Sequence, residues 1–241
     1  MASDATSRAG QDEQEIKRGV ARRFVQVALL VLFQGAVLFL AAGRLDWVWG
    51  WVYLGTYLVV APINAVFLLR YSPGTIVDRT EARGMRDWDK VVGGLFGVMY
   101  FVLLLLVAGL DHRFGWTGQV DLWIHIVGAV VSVLGFALFG WAMVSNAYFS
   151  TVARIQDDRG QAVCTTGPYR YVRHPGYIGG ILQSLSNPLL FGSLWSFLPG
   201  GLAAILLVLR TLLEDGMLHE ELQGYPEYAA QVRFRLLPGI W

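Results

Sequence analysis

Charge is scarce in this chain. Asp, Glu, Lys and Arg make up 15% of its 241 residues, against roughly a quarter in soluble domains. A chain so poor in charge lacks the groups to cover a water-exposed surface. Cysteine is almost missing: Cys164 stands alone, which excludes a disulfide framework and leaves a structural zinc site without its usual donors. The four histidines show no metal-ligand spacing, so no metal is expected. A net charge of +1 gives no global attraction to nucleic acid. The start of the chain, roughly 20 residues, is too polar for a secretory signal. No internal repeat or low-complexity linker divides the rest.

What is abundant is apolar. Hydrophobic residues reach 55%, with nine Trp, a residue that anchors proteins at membrane–water interfaces. A hydrocarbon core is crossed by about 20 apolar residues in a helix. Four runs meet that length: Phe24–Ala42, Trp47–Leu69, Val91–Leu110 and Leu122–Ser145. A fifth apolar region, Tyr177–Leu213, is too long for one span and is broken at Asn187-Pro188 and at Pro199-Gly200-Gly201. It predicts two short helices in a hairpin. In lipid only helices and closed barrels satisfy the backbone, and long uniform runs are helical. The expected fold is all-α: a polytopic transmembrane bundle of four spans plus a C-terminal helical hairpin. Residues 1–15 are expected to be a disordered tail, and 16–241 a single membrane domain.

Basic residues set the orientation. Of the 19 Lys and Arg, all but Arg44 and Arg113 fall on one side of this arrangement. That side is expected to be the cytoplasm and to hold both termini, which requires an even number of crossings. The absence of retention motifs points to a bacterial inner membrane.

Polar residues on that face concentrate in two segments, about 146–180 and 210–241. The first, Asn146–Gly179, is far longer than a connector between spans needs and is dense in Arg, Tyr, Gly and His. Within it Gly167-Pro168 marks a turn, and Arg173-His174-Pro175-Gly176-Tyr177 leads into an apolar helix. Proline suits a helix start, and the free N–H groups there favour an anion. Gly179-Gly180 would permit close approach of a helix or ligand. The same residues also fit a basic membrane anchor with interfacial tyrosines. In the second segment, Arg210 and Glu214 share a helix face where an apolar run ends. Acidic groups there are costly unless they face protein or water. A plain surface pair between them is the alternative.

At these segments the chain resembles the isoprenylcysteine carboxyl methyltransferase family, part of a wider phospholipid methyltransferase-like membrane group. The resemblance rests on GPYRYVRHPGYIGG and, after the hairpin, LRTLLEDGMLHEELQGYPEYAAQVRFRLLPGIW, about 100 C-terminal residues. Arg173, His174, Pro175, Tyr177 and Gly179 match the family's RHPxYxG box. Glu214 matches the first of its two acidic residues, Asp215 replaces a Glu at the second, and Tyr225, Tyr228 and Pro238 match its tail. The stretch between Leu218 and Tyr225 is slightly shorter than the family form. The resemblance implies S-adenosylmethionine as cofactor. It implies cofactor contacts at Tyr169, Arg173, His174, Pro175, Tyr177, Gly179 and Glu214, and catalytic roles for Arg210 and Glu214. Arg210 would grip an acceptor carboxylate. The acceptor would be a lipophilic small molecule or lipid-linked substrate entering from the bilayer, with membrane lipids as further partners.

Two other readings stand beside it. Membrane sterol reductases, which use NADPH, share the box and the tail. The basic loops also suit a non-catalytic membrane subunit that binds anionic lipid or a partner.

Overall fold

The computed structural model describes residues 2–71 and 84–241, the side chains of 2–20, 23, 68, 69 and 71 excepted. Most of the 70–90 loop therefore lies outside the described residues. Among the described residues there is helix and no strand. Helix α1 runs Ala2–Ala42 and α2 Val48–Tyr71. Helix α3 runs Asp87–Phe114 with one wide π turn at Met99–Leu103. Helix α4 is Leu122–Ser145, α5 Pro175–Phe191, α6 Phe197–Glu221 and the short α7 Tyr225–Gln231. The residues read as a tail, 1–15, form the start of α1 from Ala2 onward.

Among the described residues, five helices are long and apolar enough to cross a membrane: Phe24–Ala42, Val48–Phe67, Asp87–Phe114, Leu122–Ser145 and Phe197–Glu221. Their surfaces agree. Leu40 is 77% exposed and Leu198 68%, positions that need lipid rather than water around them. Inside, by contrast, Gln34, Ser132, Gln183, Ser184 and Asn187 are buried. The chain is thus an integral membrane protein of the expected all-helical class. Its sixth long element, α5, has 17 residues and lies between α4 and α6.

Glycine makes the tightest seams. A Cβ on Gly135 of α4 would lie 2.8 Å from the Gly179 carbonyl oxygen, and one on Gly179 would lie 2.6 Å from that of Gly135. Backbone meets backbone here, which only glycine allows. The hairpin is present, but neither expected break is its turn. Helix α5 ends at Gly192, whose φ of 66° closes the helix by donating to the Leu189 carbonyl, a conformation that favours glycine. Pro188 stays inside the last turn of α5, and Pro199 sits in the first turn of α6, where a missing N–H costs nothing.

Candidate functional site

Where α5 and α6 reach the basic face, Asp215 gathers the chain around itself. It is 1% exposed. Arg173 donates from Nε to Oδ1 at 2.7 Å and from Nη2 to Oδ2 at 3.0 Å. Arg235 Nε donates to Oδ2 at 2.7 Å and the Tyr225 hydroxyl to Oδ1 at 2.8 Å, with His174 Nε2 3.2 Å from Oδ1. Arg173 Nη1 also donates to the carbonyls of Val232 and Arg233, each at 2.9 Å. The backbone N–H groups of Arg173 and His174 donate to Phe234 and Arg235 at 2.9 and 3.0 Å. The turn before α5, the end of α6 and the segment after α7 are thereby tied into one polar cap. Burial, then the charge of Asp215, holds the Tyr225 hydroxyl above its usual range, so it remains a neutral donor. For Arg173 burial works against the charge, but its hydrogen bonds to Asp215 and the attraction of that carboxylate together outweigh it, and the guanidinium stays protonated.

Tyr225, Tyr228 and Ala229 of helix α7, with Leu222 just before it, close the cap by packing on Ile155, Val163 and Leu218. The Tyr228 hydroxyl donates to the Tyr169 carbonyl at 2.7 Å. In the long loop, Gln156 Nε2 donates to the Tyr148 carbonyl at 2.6 Å, and the Gln156 N–H to Gln161 Oε1 at 2.7 Å.

Beside this cap lies a second cluster. The Tyr177 hydroxyl donates to Glu214 Oε2. The Arg210 guanidinium sits 5.5 Å from the centre of the Tyr177 ring. Arg210 is not joined to Glu214. Its Nη2 donates to Asp89 Oδ2 and to the Thr151 carbonyl, both at 2.9 Å, and its Nε is 2.7 Å from Asp89 Oδ1. Asp89 also accepts from the Ala153 N–H at 2.7 Å. Among the described residues, Arg210 Nη1 and Glu214 Oε1 have no hydrogen-bond partner.

One cavity of about 900 Å³ runs from these groups into the bundle. At its polar end are Tyr169, Arg173, His174, Tyr177, Arg210 and Glu214. Toward the membrane interior it passes Phe24 and Val27 of α1, Ala61 of α2, Gly93 and Gly97 of α3, and Phe139 of α4. The structure therefore brings together six of the eight residues singled out in the sequence. Pro175 and Gly179 do not line the cavity, and Gly179 is spent on the α4–α5 seam. Arg173 faces the cavity with most of its donors already committed to Asp215 and the tail. Asp215, which replaces a Glu of the family pattern, is the hub of the cap. Asp89 escaped the sequence reading. The signal was there, an acidic residue in the first turn of an apolar helix, which is costly without a partner.

No curated protein matches the chain. Residues 123–223 match the family model described as phospholipid methyltransferase, a stretch that runs from α4 through Glu214-Asp215 and stops short of Tyr225. The match supports the wider membrane methyltransferase group, not the isoprenylcysteine carboxyl methyltransferase family in particular, and by it the chain is similar to the membrane methyltransferases.

Proposed function

We propose that the protein is an S-adenosylmethionine-dependent methyltransferase whose acceptor is lipophilic and is methylated on a carboxylate oxygen. The observation that supports this most is the continuity of the cavity: charged side chains at one end and a largely apolar wall beyond them share one space. A polar donor and an apolar acceptor can meet there.

The wall suits such a cofactor. Glu214 offers Oε1 to ribose hydroxyls, and the 900 Å³ volume is within the range of small-molecule sites. When bound, S-adenosylmethionine supplies an electrophilic methyl on a sulfonium. The residues contribute position and charge. Tyr177 fixes the rotamer of Glu214 through its hydroxyl. Asp89 accepts from Arg210 Nη2, lies beside its Nε and leaves Nη1 free, so Arg210 meets an acceptor carboxylate through one nitrogen. A carboxylate arrives already ionised at neutral pH, so the reaction asks for no general base and rests on alignment. The one-sided distribution of Lys and Arg supports an orientation with the basic face, the polar cap and both termini on the cytoplasmic side of a bacterial inner membrane.

The test is titration of purified protein in detergent with S-adenosylmethionine, S-adenosylhomocysteine and NADPH, followed by transfer of radiolabelled methyl to a panel of lipophilic acids. Saturable binding of the first two is expected. Binding of NADPH alone would turn the reading to a reductase, and binding of none to a lipid- or partner-binding subunit.

A further inference from the structure

The far end of the cavity is not apolar. Tyr57, Tyr100 and Gln183, from α2, α3 and α5, line it there. They belong to a buried chain of hydrogen bonds. The Tyr57 and Tyr100 hydroxyls are 3.2 Å apart, and Tyr100 donates to Gln183 Oε1 at 3.1 Å. Asn187 Nδ2 donates to the Tyr100 hydroxyl at 3.0 Å, and the Ser132 hydroxyl to Asn187 Oδ1 at 3.0 Å. Bonds of this kind hold membrane helices together, and the Ser132–Asn187–Tyr100 part is satisfied as such. Gln183 is different. It is 6% exposed and spends one amide atom on Tyr100. Its other amide atom has no partner among the described residues, although the side chain borders the cavity. An idle amide inside a bilayer costs on the order of a hydrogen bond or more.

The wall between the two ends gives the spacing. Gly176, Gly180 and Gln183 all line the cavity from one helix. Seven residues of helix rise put Gln183 about 10 Å below the level of Gly176 and Tyr177.

We infer that the inner end of the cavity is a second polar subsite, which takes a ketone or hydroxyl oxygen carried on the apolar body of the acceptor. That oxygen lies about 10 Å from the methylated group, with Gln183 as its main partner and the Tyr57 hydroxyl beside it. The subsite rests on the methyltransferase reading for what happens at the other end, but its binding role does not. It makes the acceptor an oxygenated lipid acid rather than a plain hydrocarbon chain.

The experiment measures binding, in detergent and without methyl donor, of tritiated stearic acid and of its mid-chain hydroxy and keto derivatives. Wild-type protein should hold an oxygenated acid about tenfold more tightly than stearic acid, the worth of one net hydrogen bond. Gln183→Leu should bring that ratio to within about twofold while S-adenosylmethionine binding is unchanged. Should Gln183→Leu fail to fold, Tyr57→Phe should reduce the same ratio by a smaller factor. Equal binding of the acids by wild type, or a preference that survives both substitutions, overturns the subsite. A protein that prefers the oxygenated acids yet binds no S-adenosylmethionine keeps the subsite and overturns the methyltransferase reading instead.

Discussion

Glu214 and Asp215 are neighbours with opposite duties. Asp215 faces away from the cavity and holds two arginines, a tyrosine and a histidine; Glu214 lines it. Asp215→Ala should therefore destabilise the protein by about 3–5 kcal/mol, the cost of stranding a buried charge, read as a lower unfolding midpoint in detergent. Glu214→Gln should leave that midpoint nearly unmoved and weaken S-adenosylmethionine binding. Equal effects of the two on stability would contradict the division. Asp89→Asn should lower kcat with little change in cofactor affinity, since it loosens Arg210 without touching Glu214. At this scale the sequence was legible where partners lie close along the chain or match a known box, as with Tyr177 and Glu214. It was opaque where the partner is remote. Nothing around Asp89 announces that Arg210, on another helix, completes it, and the motif gives His174 and Arg173 no hint that the tail will claim them.

At the level of helices, the bundle depends on how closely α4 and α5 approach. Gly135→Ala or Gly179→Ala forces a methyl against opposing backbone and should cost about 1–3 kcal/mol. Gly94→Ala, where an added Cβ meets nothing within 4 Å, should be silent in the same unfolding assay. Four spans could be read directly because a run of apolar residues has one solution in lipid. The hairpin turn could not. Proline breaks a helix only where its missing N–H and its ring cannot be accommodated: Pro199 occupies a first turn, where no N–H is needed, and Pro188 forgoes a single bond in the last turn of α5. The true signal, Gly192 followed by Ser193, was hidden among glycines that serve packing.

The molecule as a whole keeps amides and hydroxyls among the apolar side chains of its core and turns many leucines outward. Its proposed orientation is open to direct test. Single cysteines replacing Leu45, Phe114, Asp157 and Glu227, in a Cys164→Ser background, should be modified by an impermeant reagent from outside the cell at Leu45 and Phe114 alone. Labelling at Asp157 or Glu227 from outside would invert the molecule and remove the cytoplasmic cofactor from its reach. The cap adds a matter of timing. Arg173 finds its partners at Asp215 and at the carbonyls of residues 232 and 233, and its own N–H reaches residue 234. A nascent chain that has delivered all its apolar helices to the bilayer still has no finished site. Translation must pass residue 235 first, so insertion and activation are separate events, and a prematurely released chain would be a membrane protein whose Arg173 has Asp215 but not the carbonyls that complete its cap.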